Sequence, residues 1–136
     1  MGLSLFLLAN ALGVAATLVD TPTPQMGWNS YNHYNCYPDE SIILDNAQGL
    51  VDYGFADAGY NYVTVDCGWP APDRDANDRM VWNPRLFPSG VEVIRDKIHG
   101  LGLKFGVYSG GGLGQCGNGS LPASLGEKVQ YRRFHN

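Results

Sequence analysis

The sequence predicts an α/β fold with a parallel sheet, and two observations carry that prediction. Its elements read strand, helix, strand, helix, strand, with no hairpin signal between the strands. The long, chemically rich loops all follow strands rather than helices. Strands joined through helices pair in parallel by right-handed crossovers. Rich loops at the carboxyl ends of strands mark the active face of a (β/α)8 barrel. A doubly wound sheet shows the same asymmetry, so periodicity leaves both architectures open.

Each element has a local reason. Thr21-Pro22-Thr23-Pro24 is an extended lead-in, because each Pro pushes the residue before it out of the helical region. Met26 to Tyr31 can form a short strand. Pro38-Asp39-Glu40-Ser41 reads as a helix start with Asp or Ser available to cap. The helix is predicted over 41–53, with Ile43, Ala47, Leu50 and Val51 on one face and Gly54 as its stop. Tyr60 to Val65 is aromatic and β-branched, hence a strand, and Asp66 stands where it gives way to loop. Residues 71–90, with Asp73, Asp75, Asp78 and three further Pro, read as a long polar loop. Val91, Ile94, Ile98 and Leu101 mark a second helix face, closed by Gly100 and Gly102. Lys104 to Tyr108 is a third strand running into the loop that begins Ser109-Gly110-Gly111-Gly112.

Composition narrows the function. With 9 Lys and Arg against 13 Asp and Glu, the 136-residue chain carries a net charge of −4. That acidic balance excludes a nucleic-acid partner, which needs a basic surface. The chain is 44% hydrophobic and 16% charged, which places it among folding rather than disordered sequences. The length suits one domain or a piece of a larger one. No cofactor is implied. The glycine run after Tyr108 lacks a dinucleotide fingerprint, and neither a Cys-x-x-Cys pair nor a His pair at ligand spacing offers a metal site.

Residues 1–16 read as a signal peptide. Leu3 to Ala16 is apolar but shorter than the roughly 20 residues a membrane span needs, and Val14 and Ala16 suit the positions before a cleavage site. The expected location is therefore secreted and extracellular, without membrane association. Outside the cytosol Cys36, Cys67 and Cys116 belong in disulfides rather than metal sites, and three thiols leave one unpaired. Asn118-Gly119-Ser120 is a glycosylation acceptor triplet in a loop-like stretch.

Several blocks together resemble the N-terminal part of a family 27 glycoside hydrolase, an α-galactosidase or melibiase. They are Thr23 to His33, Ala58 to Val63, Asp66 with Trp69, Leu86 to Gly90, Gly100 to Ser109, and Pro122 to Gly126. The resemblance implies the N-terminal part, about three βα units, of a (β/α)8 TIM barrel over residues 17–126. Such a barrel takes about 250 residues in full, so the chain is expected to be truncated. It also implies retaining hydrolysis of terminal α-galactosyl residues, with an α-galactoside as the carbohydrate partner. Retention uses two carboxylates about 5–5.5 Å apart. The family's nucleophile lies in a Tyr-Leu-Lys-Tyr-Asp-Asn-Cys type motif after the fourth strand. Neither that motif nor the acid/base Asp is found in this sequence, so no catalytic residue is assigned. Residues 127–136 read as a divergent tail.

The resemblance assigns the remaining residues one by one. Asp66 aligns with a carboxylate that accepts hydrogen bonds from galactose hydroxyls; the alternative is an Asp that caps the loop backbone. Tyr31 takes the place of the aromatic that packs on the galactose face, and Tyr108 that of a pocket tyrosine. Cys116 belongs to the same group of pocket positions, and its family counterpart pairs with a cysteine just after the nucleophile. Cys67 stands where the family has a second Asp, and Gly68 where it has Cys. The departure removes one sugar-binding carboxylate, and a Cys36–Cys67 disulfide is expected despite the one-residue offset. Trp28, His33 and His99 are read as structural, and Asp73, Asp75 and Asp78 as solvated loop charges. A small secreted galactose-binding module, using Tyr31, Asp66 and Tyr108 without catalysis, is the rival reading.

Overall fold

The structure, a computed structural model, describes residues 24–124. The proposed signal peptide and the tail at 127–136 lie outside that range. Its elements are β1 (Gly27–Asn29), α1 (Tyr31–Tyr34), α2 (Glu40–Asp52), β2 (Tyr62–Val65), α3 (Val91–Gly100), β3 (Lys104–Val107), β4 (Gly114–Gln115) and β5 (Asn118–Pro122). The first three strands form one parallel sheet in the order β1-β2-β3.

Burial explains the arrangement. Side chains alternate along a strand, so Val63 and Val65, both fully buried, point to the same face of the sheet. Ile43, Ala47 and Leu50 of α2 and Ile94 and Ile98 of α3 join them in one cluster. Both crossover helices therefore cover the same face. Sequential strand order with both helices on one face is common to a (β/α)8 barrel and to one half of a doubly wound sheet. Trp28 and Phe105 lie in register with Val63 and pack against the same cluster.

Caps set the helix limits. The Asp39 carboxylate accepts from the Ile42 amide at 2.8 Å, so α2 starts at Glu40, one residue before the predicted start. The Glu40 amide donates to the Leu86 carbonyl at 2.9 Å, and its carboxylate accepts from the Ser89 amide at 2.9 Å. Hydrogen bonding from the Ser89 side chain, helped by that amide, holds the Glu40 carboxyl below its ordinary pKa. The strand expected over 26–31 ends at Asn29, because the Asn29 side chain accepts from the Tyr31 amide at 2.8 Å and turns the chain into α1.

Two loop expectations need correction. Residues 71–90 are not merely a polar loop. Pro70 and Trp82 form a bridge, and the Trp82 ring lies 4.8 Å from both Trp69 and Phe87. Phe87 is buried with the main cluster, so the excursion returns apolar rings to the core. The stretch after Tyr108, read as loop, contains the antiparallel pair β4–β5. Its base is closed by the Ala123 amide on the Leu113 carbonyl at 3.1 Å and the Ser124 amide on the Gly110 carbonyl at 3.0 Å.

Two substitutions separate packing from capping. Ile94→Ala is expected to cost about 2–5 kcal/mol through lost burial and the cavity left behind, and Asp39→Ala about 1 kcal/mol. Urea unfolding followed by tryptophan fluorescence should rank them in that order.

Candidate functional site

The carboxyl ends of the three parallel strands place Asn29, Asp66 and Tyr108 along one edge of the sheet. Asp66 follows β2 directly, and alternation turns it away from Val65 and the helices. Its Oδ2 accepts from Asn29 Nδ2 at 2.9 Å, and its Oδ1 accepts from the Cys67 amide at 2.7 Å. The Asp66 amide donates to Ser30 Oγ at 2.9 Å, and Ser30 is fully buried. The carboxylate thus caps its own loop, yet each oxygen retains acceptor capacity, since an ionised carboxylate offers about four lone-pair sites. The half-buried Asp66 can accept further donors such as sugar hydroxyls.

The turn after Asp66 is held tightly. Cys36 and Cys67 are joined by a disulfide. Gly68 has φ of +96°, and a Cβ there would lie 2.2 Å from the Cys36 carbonyl oxygen. Glycine is required on both counts. The Gly68 amide donates to Gln115 Oε1 at 2.8 Å, tying the hairpin to the loop after Asp66. Gln115 is 2% exposed, and its Nε2 meets no acceptor among the described residues. Trp69 Nε1 donates to the Tyr108 carbonyl at 2.8 Å, and the Tyr108 amide donates to the Val65 carbonyl at 2.9 Å.

An open hollow of about 400 Å³ lies between α1 and the hairpin, lined by Tyr31, Asn35, Cys36, Tyr37, Gly117 and Asn118. Tyr31 is 38% exposed and leans on Gly117, where a Cβ would sit 3.2 Å from the tyrosine hydroxyl. Asp66, Tyr108 and Cys116 do not line this hollow. Asp66 is coupled to it through Asn29, whose side-chain oxygen holds the Tyr31 amide. Half-buried Tyr108 directs its hydroxyl to Gly110, 3.4 Å from where a Cβ would be. Cys116 has a free, exposed thiol, and its carbonyl oxygen lies 3.8 Å from Cys36 Sγ.

Sequence reasoning missed Asn29, Ser30 and Gln115. Asn29 and Ser30 were legible as polar residues at the end of the first strand, beside the aromatic that drew attention. Gln115 was not, because its partner is 47 residues away.

Among the loop charges, Asp73 and Asp78 are exposed, and the reading needs correction at Asp75. Asp75 accepts from Arg79 Nε at 2.8 Å and pairs with its Nη2 at 2.7 Å, while its other oxygen takes the Asn77 and Arg79 amides. Arg74 Nη1 donates to the Asp78 carbonyl at 3.0 Å, and Nη2 donates to the Ala123 carbonyl at 2.5 Å, which fastens the loop to the hairpin. Asp75, Arg79 and Arg74 thus order the loop rather than merely solvate it. Among the described residues no group of three or more His, Cys, Asp or Glu could hold a metal ion, and no helix is long and apolar enough to cross a membrane.

Polar side chains at the carboxyl ends of parallel strands, on a sheet covered by crossover helices, define the class of α/β proteins that build sites in their βα loops. Among solved structures, the chain is similar to α-galactosidase I from Mortierella vinacea, with 45% identity and a TM-score of 0.72 over 76% of this chain and 26% of that one. It is likewise similar to the Saccharomyces cerevisiae α-galactosidase solved with raffinose, with 36% identity and a TM-score of 0.71 over 76% and 22% of the two chains. Residues 23–132 match the family described as alpha galactosidase A, the melibiases. The chain belongs to that family. It is 59% identical over 95 residues to the probable alpha-galactosidase D of Aspergillus terreus, covering 70% of this chain and 14% of that protein. It therefore spans about one seventh of the length of this relative.

Two outcomes follow from the site's geometry. Gly68→Ala should prevent native closure of the loop after Asp66, seen as lost protection of the backbone amides at positions 67 and 68 in hydrogen exchange. Arg79 holds the Asp75 carboxyl at a pKa of about 2, below its ordinary 3.8. A depressed folded pKa stabilises above the unfolded value and loses that contribution as pH falls from about 4 towards 2. A carbon-detected NMR titration should place Asp75 near 2, and Arg79→Met should return it towards 3.8.

Proposed function

We propose that this chain supplies the N-terminal βα units of a secreted α-galactosidase barrel, contributing part of the galactose-binding surface. The observation that carries the reading is the family match over residues 23–132. Asp66 would accept hydrogen bonds from vicinal sugar hydroxyls, the strong donors a carboxylate favours. Tyr31 would offer the apolar face of its ring to the sugar and Tyr108 a further pocket wall. Cys116 is assigned to the same rim. Asn29 would act as a positioning residue, because it holds both Asp66 and the Tyr31 backbone.

Retaining hydrolysis needs a nucleophilic and an acid/base carboxylate about 5–5.5 Å apart. The resemblance puts both on later barrel units, and no residue of this chain is assigned either role. The substrate class is terminal α-galactosides of oligosaccharides and galactomannans. A stand-alone galactose-binding module finds no support in the comparisons.

The 136-residue chain is expected to release no phenol from a nitrophenyl α-galactoside; turnover by it would overturn the placement of the carboxylate pair. Sequencing the transcript past the Gly126 codon should reveal an in-frame Tyr-Asp-Asn-Cys type motif. In that longer product Asp66→Ala should lower kcat/KM by about 100-fold or more, roughly 2.7 kcal/mol. A wild-type kcat/KM in that variant would remove Asp66 from the site.

A further inference from the structure

The turn between β4 and β5 carries a feature that sugar hydrolysis does not use. Asn118 opens β5, and its Oδ1 accepts from the Ser120 hydroxyl at 2.6 Å and from the Ser120 amide at 3.3 Å. The hydroxyl that an acceptor triplet requires is thus already on the amide oxygen. The amide nitrogen Nδ2 makes no hydrogen bond among the described residues. Gly119 is exposed with open space beside it, and Ser120 is exposed as well, so the start of β5 is free on its outer side. Asn118 also lines the hollow shared with Tyr31 and Tyr37, and Tyr37 is 76% exposed.

We propose that Asn118 carries an N-linked glycan whose first sugar seats at the outer side of this hollow, against the ring of Tyr37, leaving the Tyr31 ring to the substrate. The donor is an oligosaccharide joined through its anomeric carbon to a polyprenyl pyrophosphate. Asn118 Nδ2 forms the new bond to that carbon as the bond to the pyrophosphate oxygen breaks. The lipid pyrophosphate leaves with the electron pair, and one amide proton passes to a base of the transferase. Tyrosine rings present apolar faces to the C–H groups of a sugar, and their hydroxyls can bond to its oxygens. The glycan would then stand at the rim of the candidate galactose site, where it screens the hollow without touching Asp66. The proposal rests on passage through the secretory route and is independent of hydrolase activity.

The test begins with the full chain translated in the presence of endoplasmic-reticulum microsomes. Protease-protected chain is expected to shift by one glycan, reversibly with an endoglycosidase. Asn118→Gln and Ser120→Ala should abolish the shift, and Ser120→Thr should keep it. Protected chain without the shift overturns the proposal at the site. Chain that stays accessible to protease overturns it at the compartment, leaving the galactosidase reading untouched. For the seating, tetranitromethane should nitrate Tyr37 several-fold more slowly in the glycosylated chain than in Asn118→Gln. Equal rates would show that the glycan points away from the hollow.

Discussion

The site hangs on the alternation of β2. Val63 and Val65 must meet the helices, because burying two β-branched side chains against α2 and α3 is among the strongest favourable terms available to so short a strand. Thr64 and Asp66 are then committed to the opposite face. A one-residue slip would bury Thr64 and Asp66 among Ile43, Ile94 and Ile98 and expose both valines. The parallel register with β1 and β3 follows from the same burial, since Trp28, Val63 and Phe105 form one row against the core. Once that row is set, Asn29 arrives beside Asp66 without further instruction.

What surrounds Asp66 is built to keep it still. Two donors hold its oxygens, Ser30 takes its amide, and the next residue is bonded covalently to Cys36. The conformational cost of fixing such a group is met during folding, so a ligand would not have to pay it again. The hairpin completes the support from the far side, through Gln115 on Gly68. It is itself fastened by Arg74 reaching back from the aspartate-rich loop. A loop that reads as solvated charge therefore serves as a strut. Charged side chains a few residues apart satisfy one another and the local backbone when the chain folds back on itself.

How much of this was legible depended on how far apart the partners lie in sequence. The α2 and α3 faces were plain, since Ile43, Ala47, Leu50, Ile94 and Ile98 repeat at helical spacing and all are buried. Asp39 was readable as a cap for the same local reason. The β4–β5 hairpin was hidden, because a two-residue strand of Gly114 and Gln115 carries no alternation to read. Trp82 and Phe87 read as loop residues, yet Trp82 packs on Trp69, more than ten positions back, and Phe87 meets Trp82 edge-on. Tyr31, Asp66 and Tyr108 were singled out from the sequence, and the structure brings all three to the carboxyl ends of the strands. It does not put them in one cavity, since only Tyr31 lines the hollow.

By itself the sequence determined the crossover order, the helix faces, the strand that ends at Asp66 and the likeness to α-galactosidases. These depend on period and on neighbours a few residues away, where composition alone decides what is apolar and what can cap. Only the tertiary structure decided that Asn29 grips Asp66, that Gly68 lies against the Cys36 carbonyl, that Gln115 closes the turn and that Asn118 borders the same hollow as Tyr31. Each of those contacts joins segments more than 30 residues apart. Their geometry exists only after the valine row has buried itself and drawn the strand ends together.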